Sequence, residues 1–263
     1  MSETATPQNF GGTEIRAVDE GSGPVILILH PGLDDGGSWG KVAQLLTPRF
    51  RVIRMVRTQY RLDLPSPVTM ADEVEDVLEI AAAIGQPITI VGHSSGAVVA
   101  LETLVVDSSP FTAAVLYEPP IALGATLGGE ATVRAQAAMD AGKPGKAMQI
   151  FIRDIVKMPG WQAALARVFI TRDARLTSFV PRQMADTAAI DALGMRLDAY
   201  AGIETPTLLV GGDKSPKHLA ARLDALQSVL PHVRREVIQG QGHGAHDAAP
   251  QVVADLIAGF ATV

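Results

Sequence analysis

The sequence predicts an α/β fold: a mainly parallel central sheet with helices on both faces, interrupted by a helical cap insertion. Three observations point there. Short β-branched apolar runs alternate with longer amphipathic stretches, the rhythm of strand–helix–strand units. The runs are apolar throughout rather than alternating, as strands covered on both faces are. The rhythm stops between Ala122 and Ile203, where the pattern reads as helices alone.

The strand candidates are Val25 to Leu29, Arg51 to Val56, Ile88 to Val91, Ala113 to Tyr117, Thr207 to Val210 and Arg234 to Ile238, with an edge hairpin before them near Glu14 to Val18. The helix candidates are Val42 to Leu46, Met70 to Ile84, Ala97 to Val106, Lys217 to Leu230 and Pro250 to Phe260. Thr69, with Asp72 three residues on and Glu73 in the first turn, has the form of a capping box, and Gly85 stops that helix. Residues 1–121 and 204–263 are read as the core, and 122–203 as a helical cap punctuated by Gly145, Pro159, Gly160 and Pro181.

Composition bounds the function. The 263 residues suit one large domain, and 47% hydrophobic with 19% charged residues suits a globular chain. There is no cysteine, so disulfides and thiolate metal sites are excluded. The net charge of -6 opposes binding to phosphate backbones, so no nucleic-acid partner is expected. No apolar run approaches the roughly 20 residues of a span, so no membrane partner is expected. Met1 to Gly12 lacks the pattern of a signal peptide, and the expected location is cytoplasmic. No cofactor is implied, and the histidines lack acidic partners at ligand spacing, so no metal is expected. Oligomeric state is not legible.

The strongest chemical signal is Gly92-His93-Ser94-Ser95-Gly96, a G-x-S-x-G motif set between the run Ile88 to Val91 and an Ala/Val-rich helix. A strand-to-helix turn this sharp strains the serine backbone and lifts its hydroxyl above the sheet edge, at a helix N-terminus that favours an oxyanion. Ser94 is the expected nucleophile. Ser95 has the wrong offset from the glycines, and its backbone N–H is the useful part. His93 is expected to point away from the pocket.

On these residues the chain resembles the α/β-hydrolase superfamily over nearly its whole length. The resemblance implies that His30-Pro31-Gly32 is the oxyanion segment, with Gly32 N–H and Ser95 N–H as donors, or Leu33 if Pro31 shifts the turn, and with His30 as scaffold. It implies that His243, in Gly240-Gln241-Gly242-His243-Gly244, is the general base, with His246 as a rival. His218 and His232 read as helix-surface residues. Two acids remain open. Asp213 lies after the run Thr207 to Val210, where the family's usual acid sits, but two residues early relative to Pro216. Glu118 ends the run Ala113 to Tyr117, a position that resembles haloalkane dehalogenases and certain lipases, and a carboxylate there needs a cationic or hydrogen-bonding partner such as an imidazolium.

The expected activity is cleavage of a small, neutral, partly apolar ester, thioester or lactone through an acyl-Ser94 intermediate. The alternatives are a non-catalytic ligand binder on the same fold, a cofactor-free haloperoxidase or a C–C hydrolase. Met139, Met148, Phe151, Ile155, Met158, Trp161, Phe169, Phe179 and Met184 supply apolar matter for the cap. Arg57 and Tyr60, after the run Arg51 to Val56, are expected in a surface salt bridge or at a polar group of the substrate.

Overall fold

The computed structural model describes residues 6–124 and 126–261. Its strands are β1 (Gln8–Asn9), β2 (Arg16–Gly21), β3 (Val25–Leu29), β4 (Arg51–Met55), β5 (Ile88–His93), β6 (Phe111–Tyr117), β7 (Thr207–Gly212) and β8 (Val233–Ile238). They form one sheet in the order β1-β2-β4-β3-β5-β6-β7-β8. β1 and β2 are antiparallel to their neighbours, and the rest is parallel.

Around the sheet lie α1 (Gly40–Leu46), α2 (Met70–Ile84) and α3 (Ser95–Val106). Between β6 and β7 come α4 (Glu130–Asp140), α5 (Pro144–Ile150), a π-helical turn (Phe151–Ile155), α6 (Gly160–Arg172), α7 (Ala174–Leu193) and α8 (Leu197–Tyr200). The chain ends with α9 (Lys217–Val229), α10 (Ala245–Ala248) and α11 (Pro250–Phe260).

Period-two alternation divides each strand between two apolar cores. In β3, Val25, Leu27 and Leu29 join Val77 of α2, Leu101 of α3 and Leu223 of α9. Ile26 and Ile28 face the other way, against Val42 and Leu46 of α1 and Val253 and Ile257 of α11. Both faces are thus covered, which is why the strands read as continuous apolar runs. The α2 cap forms as its sequence predicts. Thr69 Oγ1 accepts the Asp72 N–H at 3.2 Å, Asp72 Oδ2 accepts the Thr69 N–H at 2.8 Å, and Gly85 closes the helix at φ 61°.

The helical stretch between β6 and β7 has a core of its own, including Ala135, Met148, Val180 and Met184. Among the described residues of 122–203 the only strand-type pairing is a bridge at Leu123. Pro181, expected to punctuate, instead lies inside α7. Its missing N–H removes one helical bond, but Val180 and Met184 on either side are buried, and that packing carries the helix through.

Strand order places the site. From β3 the chain steps outward to β4, then α2 carries it back across β3 to β5, and it continues through β6, β7 and β8. β3 and β5 are hydrogen-bonded neighbours whose chains leave in opposite directions, with Leu29 opposite Gly92. A crevice opens at the carboxyl ends of such a pair. The Gly32 and Ser94 segments leave the sheet there.

Candidate active site

Ser94 joins β5 to α3 at φ 53° and ψ -124°, a conformation that costs on the order of 1–3 kcal/mol outside glycine. Its neighbours hold it there. The Ser94 N–H donates to the Tyr117 carbonyl at 2.8 Å, tying the turn to the end of β6. A Cβ on Gly92 would stand 2.5 Å from Ala97 Cα, and one on Gly96 would run into the carbonyls of Leu29 and His30. Only glycine lets strand and helix pass so closely. Ser94 faces a cavity of about 370 Å³, which His243 also lines.

His243 sits on the loop between β8 and α10. Its Nδ1 is 2.6 Å from Glu118 Oε2. A carboxylate only accepts, so Nδ1 carries the hydrogen, and in the neutral ring Nε2 is left with its lone pair. Glu118 follows β6 directly, at φ 47°, and its side chain is almost wholly buried. The second oxygen, Oε1, accepts the Gly212 N–H at 2.8 Å. Tyr117 steadies the same loop: its hydroxyl donates to the Gly242 carbonyl and accepts the Ala245 N–H at 3.2 Å. Asp213 is placed elsewhere. Its carboxylate lies 3.9 Å from Lys214 Nζ, and it is not among the residues that line the cavity. The structure brings Glu118, and not Asp213, to His243.

Pro31, Gly32, Leu33 and Ser95 line the cavity beside Ser94. Leu33 stands at φ 57°, so the turn after β3 is tight. A Cβ on Gly32 would collide with Gln183 Oε1 and stand 2.8 Å from the Tyr60 hydroxyl. His30 is wholly buried. Its Nδ1 meets the Pro31 carbonyl at 2.7 Å, and its Nε2 accepts the Arg57 N–H at 3.0 Å. Burial holds its pKa below the usual value, against the pull of Asp34, so it bridges two loops as a neutral ring.

Arg57 differs from its expected place on the surface: it is 0% exposed. Its guanidinium meets Glu73 of α2 at 2.5 Å, Asp186 of α7 at 2.9 Å and the Ser95 hydroxyl at 2.7 Å. Tyr60 is buried with it and donates to Asp186 at 2.7 Å. Burial opposes the charge on Arg57, but Asp186 and Glu73 outweigh it and raise the pKa. The partners lie far along the chain, so no local pattern reveals the cluster. It fastens α7 and α2 to the residue that follows Ser94.

Two other histidines also depart from expectation. His93 lines the cavity instead of turning away from it, stacked on Tyr117 at 4.6 Å with its ring 4.7 Å from that of His243. Tyr117, Trp39 and His246 surround it, and this burial puts its pKa well below the ordinary value. His218, expected on a helix surface, is half-buried in the cavity wall, with Nε2 2.8 Å from the Val156 carbonyl. His232 does lie on the surface, 3.1 Å from Glu204. His246 stacks on Trp39 and contacts the Ser38 hydroxyl at 3.1 Å, not Glu118.

Apolar side chains from the helical stretch close the cavity: Leu127, Phe151, Ile155, Val156 and Ile190. Gln183 and Thr187 of α7 are its polar contribution. No arginine or lysine is among the described residues that line it. An apolar chamber with a strained serine, an oriented imidazole and backbone N–H groups beside them can carry out acyl transfer.

Residues 26–256 match the family described as Alpha/beta hydrolase family. No curated protein matches the chain. An alpha/beta hydrolase from Sphaerobacter thermophilus is similar at a TM-score of 0.81 and 23% identity, covering 97% of this chain and 99% of that one. An N-acyl homoserine lactone degrading enzyme is similar at 0.70 and 21%, covering 94% and 97%. A meta-cleavage product hydrolase is similar at 0.68 and 20%, covering 96% and 97%. At these identities the three likenesses concern the fold.

Proposed function

Because the chain belongs to the alpha/beta hydrolase family, we propose that it is a serine hydrolase acting on a small, neutral, partly apolar ester, thioester or lactone. One observation carries the reading: Ser94 and His243 line the same cavity, and Glu118 meets His243 Nδ1 at 2.6 Å.

In the proposed reaction His243 Nε2 takes the Ser94 hydroxyl proton as Oγ attacks the substrate carbonyl carbon. The carbonyl oxygen becomes an oxyanion held by the N–H groups of Ser95 and Gly32, or of Leu33 in place of Gly32. Each such donor is worth about 2.7–4 kcal/mol to the transition state. The tetrahedral species collapses, His243 returns the proton to the leaving oxygen or sulfur, and acyl-Ser94 remains. Water then attacks with His243 as base, His243 returns that proton to Ser94 Oγ as the acyl–oxygen bond breaks, and the free acid leaves. Glu118 holds the imidazole in its working tautomer. Residues 122–203 act as the cap that keeps bulk water from this chamber.

The apolar lining supports an uncharged acyl group. The lactone option draws on the similar N-acyl homoserine lactone degrading enzyme. A fluorophosphonate probe tests the reading. Labelling of the wild type and its loss in Ser94→Ala are expected, and an unlabelled, folded wild type returns the chain to the ligand-binder class. Hydrolysis of p-nitrophenyl esters of graded length, beside several lactones, then ranks the substrates.

A further inference from the structure

Among the described residues no helix is long and apolar enough to cross a membrane. A helix that lies along a membrane surface needs less: one apolar stripe, with cations beside it. α6 meets that requirement. It buries only Ala163 and Ile170. On its outer side Trp161 is 68% exposed, Leu165 50% and Phe169 60%, with Val168 also exposed. Spacings of four, seven and eight residues from Trp161 place them on one stripe. A monomer in water gains nothing by presenting two aromatic rings and a leucine together on one helix.

Charge indicates what covers the stripe. Lys157 precedes Trp161 by four residues, and Arg172 follows Phe169 by three. Lys157, in the turn before α6, and Arg172, its last residue, thus flank the apolar side chains in the chain. The stretch from Glu130 to Arg175 holds 8 Lys and Arg against 4 Asp and Glu, whereas the whole chain carries -6. A second copy fits poorly. Two α6 stripes packed antiparallel about a twofold axis bring Lys157 of each copy to Arg172 of the other, and packed parallel they pair like with like. Both arrangements set cation against cation. An anionic surface meets both ends favourably.

We propose that the outer face of α6 docks on an anionic lipid bilayer, with Trp161, Leu165 and Phe169 entering the headgroup boundary while Lys157 and Arg172 meet lipid phosphates. Trp and Tyr favour that depth, because the ring is apolar and the N–H or O–H is polar. α6 directly follows the π-helical turn whose Phe151 and Ile155 line the cavity. Docking therefore brings the cavity wall to the lipid surface, where apolar esters collect.

The chain carries its own probe. It has 2 tryptophans, and Trp39 is 1% exposed and stacked on His246, so a change in emission on adding lipid reports Trp161. The full chain is titrated with phosphatidylglycerol–phosphatidylcholine vesicles and with pure phosphatidylcholine vesicles, and co-sedimentation is measured in parallel. Expected are a blue shift and pelleting with the anionic vesicles only, weakened at high salt. Leu165→Glu with Phe169→Glu keeps the probe and lowers partitioning by about tenfold or more. Lys157→Glu with Arg172→Glu, both on the exposed surface, abolishes the preference for anionic lipid. The wild type failing to pellet with anionic vesicles overturns the proposal. So does equal binding to both vesicle types, or a Trp161 emission already blue in a dimer seen by sedimentation velocity.

Discussion

Glu118 reaches His243 from the end of β6, one strand before β7, which Asp213 follows. The bond is 2.6 Å long, and the Gly212 N–H fixes the other carboxylate oxygen at 2.8 Å. The backbone at Glu118 is left-handed, at φ 47°, with Pro119 and Pro120 after it. A buried carboxylate held by two donors in a strained backbone is fixed in place, and in the proposed reaction it orients the imidazole.

Glu118→Gln therefore lowers kcat by about three to four orders of magnitude, because the amide no longer selects the Nδ1–H tautomer. Asp213→Asn changes kcat/KM less than about threefold, as surface substitutions do. Steady-state kinetics on a p-nitrophenyl ester measures both. The reverse ranking moves the acid to Asp213.

Arg57→Leu leaves Glu73 and Asp186 buried without their cation. Removing one partner of such a pair costs about 3–5 kcal/mol. Urea unfolding reads the loss. Asp186→Asn in the Arg57→Leu background recovers part of it, since one buried charge disappears; no recovery means the cluster is not coupled.

Gly96 and Gly32 differ in what a methyl group would meet. At Gly96 it meets the carbonyls of Leu29 and His30, which belong to the sheet edge and cannot yield. At Gly32 it meets only the ends of side chains, Gln183, which can rotate, and the Tyr60 hydroxyl at 2.8 Å. Gly96→Ala is expected to cost about 3 kcal/mol or more and Gly32→Ala about 1 kcal/mol. Equal losses in urea unfolding contradict this.

Burial lowers the pKa of His246 from 6.5 to about 4. Between those values the unfolded chain binds a proton that the folded chain does not, so stability falls as pH falls through this window. The penalty is absent above about pH 6.5 and grows to about 3 kcal/mol by pH 4. His93, also lowered by burial, acts in the same direction. Urea midpoints at pH 7 and pH 5 read the slope, and His246→Phe flattens it. A wild-type midpoint that is unchanged between the two pH values contradicts the assignment.

What the sequence determined by itself was local. β3 spans the expected Val25 to Leu29 and α2 the expected Met70 to Ile84, because strand burial, a capping box and Gly85 all act within a few residues. The strand–Gly-x-Ser-x-Gly–helix turn is equally local, and Ser94 takes its left-handed φ between two glycines. What only the tertiary structure decided was pairing at a distance. Glu118 meets His243 across 125 residues, and Arg57 meets Asp186 across 129. His93 and His218 line the cavity for the same reason: elements remote in sequence converge on them. A carboxylate after β6 and one after β7 satisfy the same local rules. Strand order and the turn at Glu118 select between them, because a hydrogen bond depends on distance and direction in space and not on position along the chain.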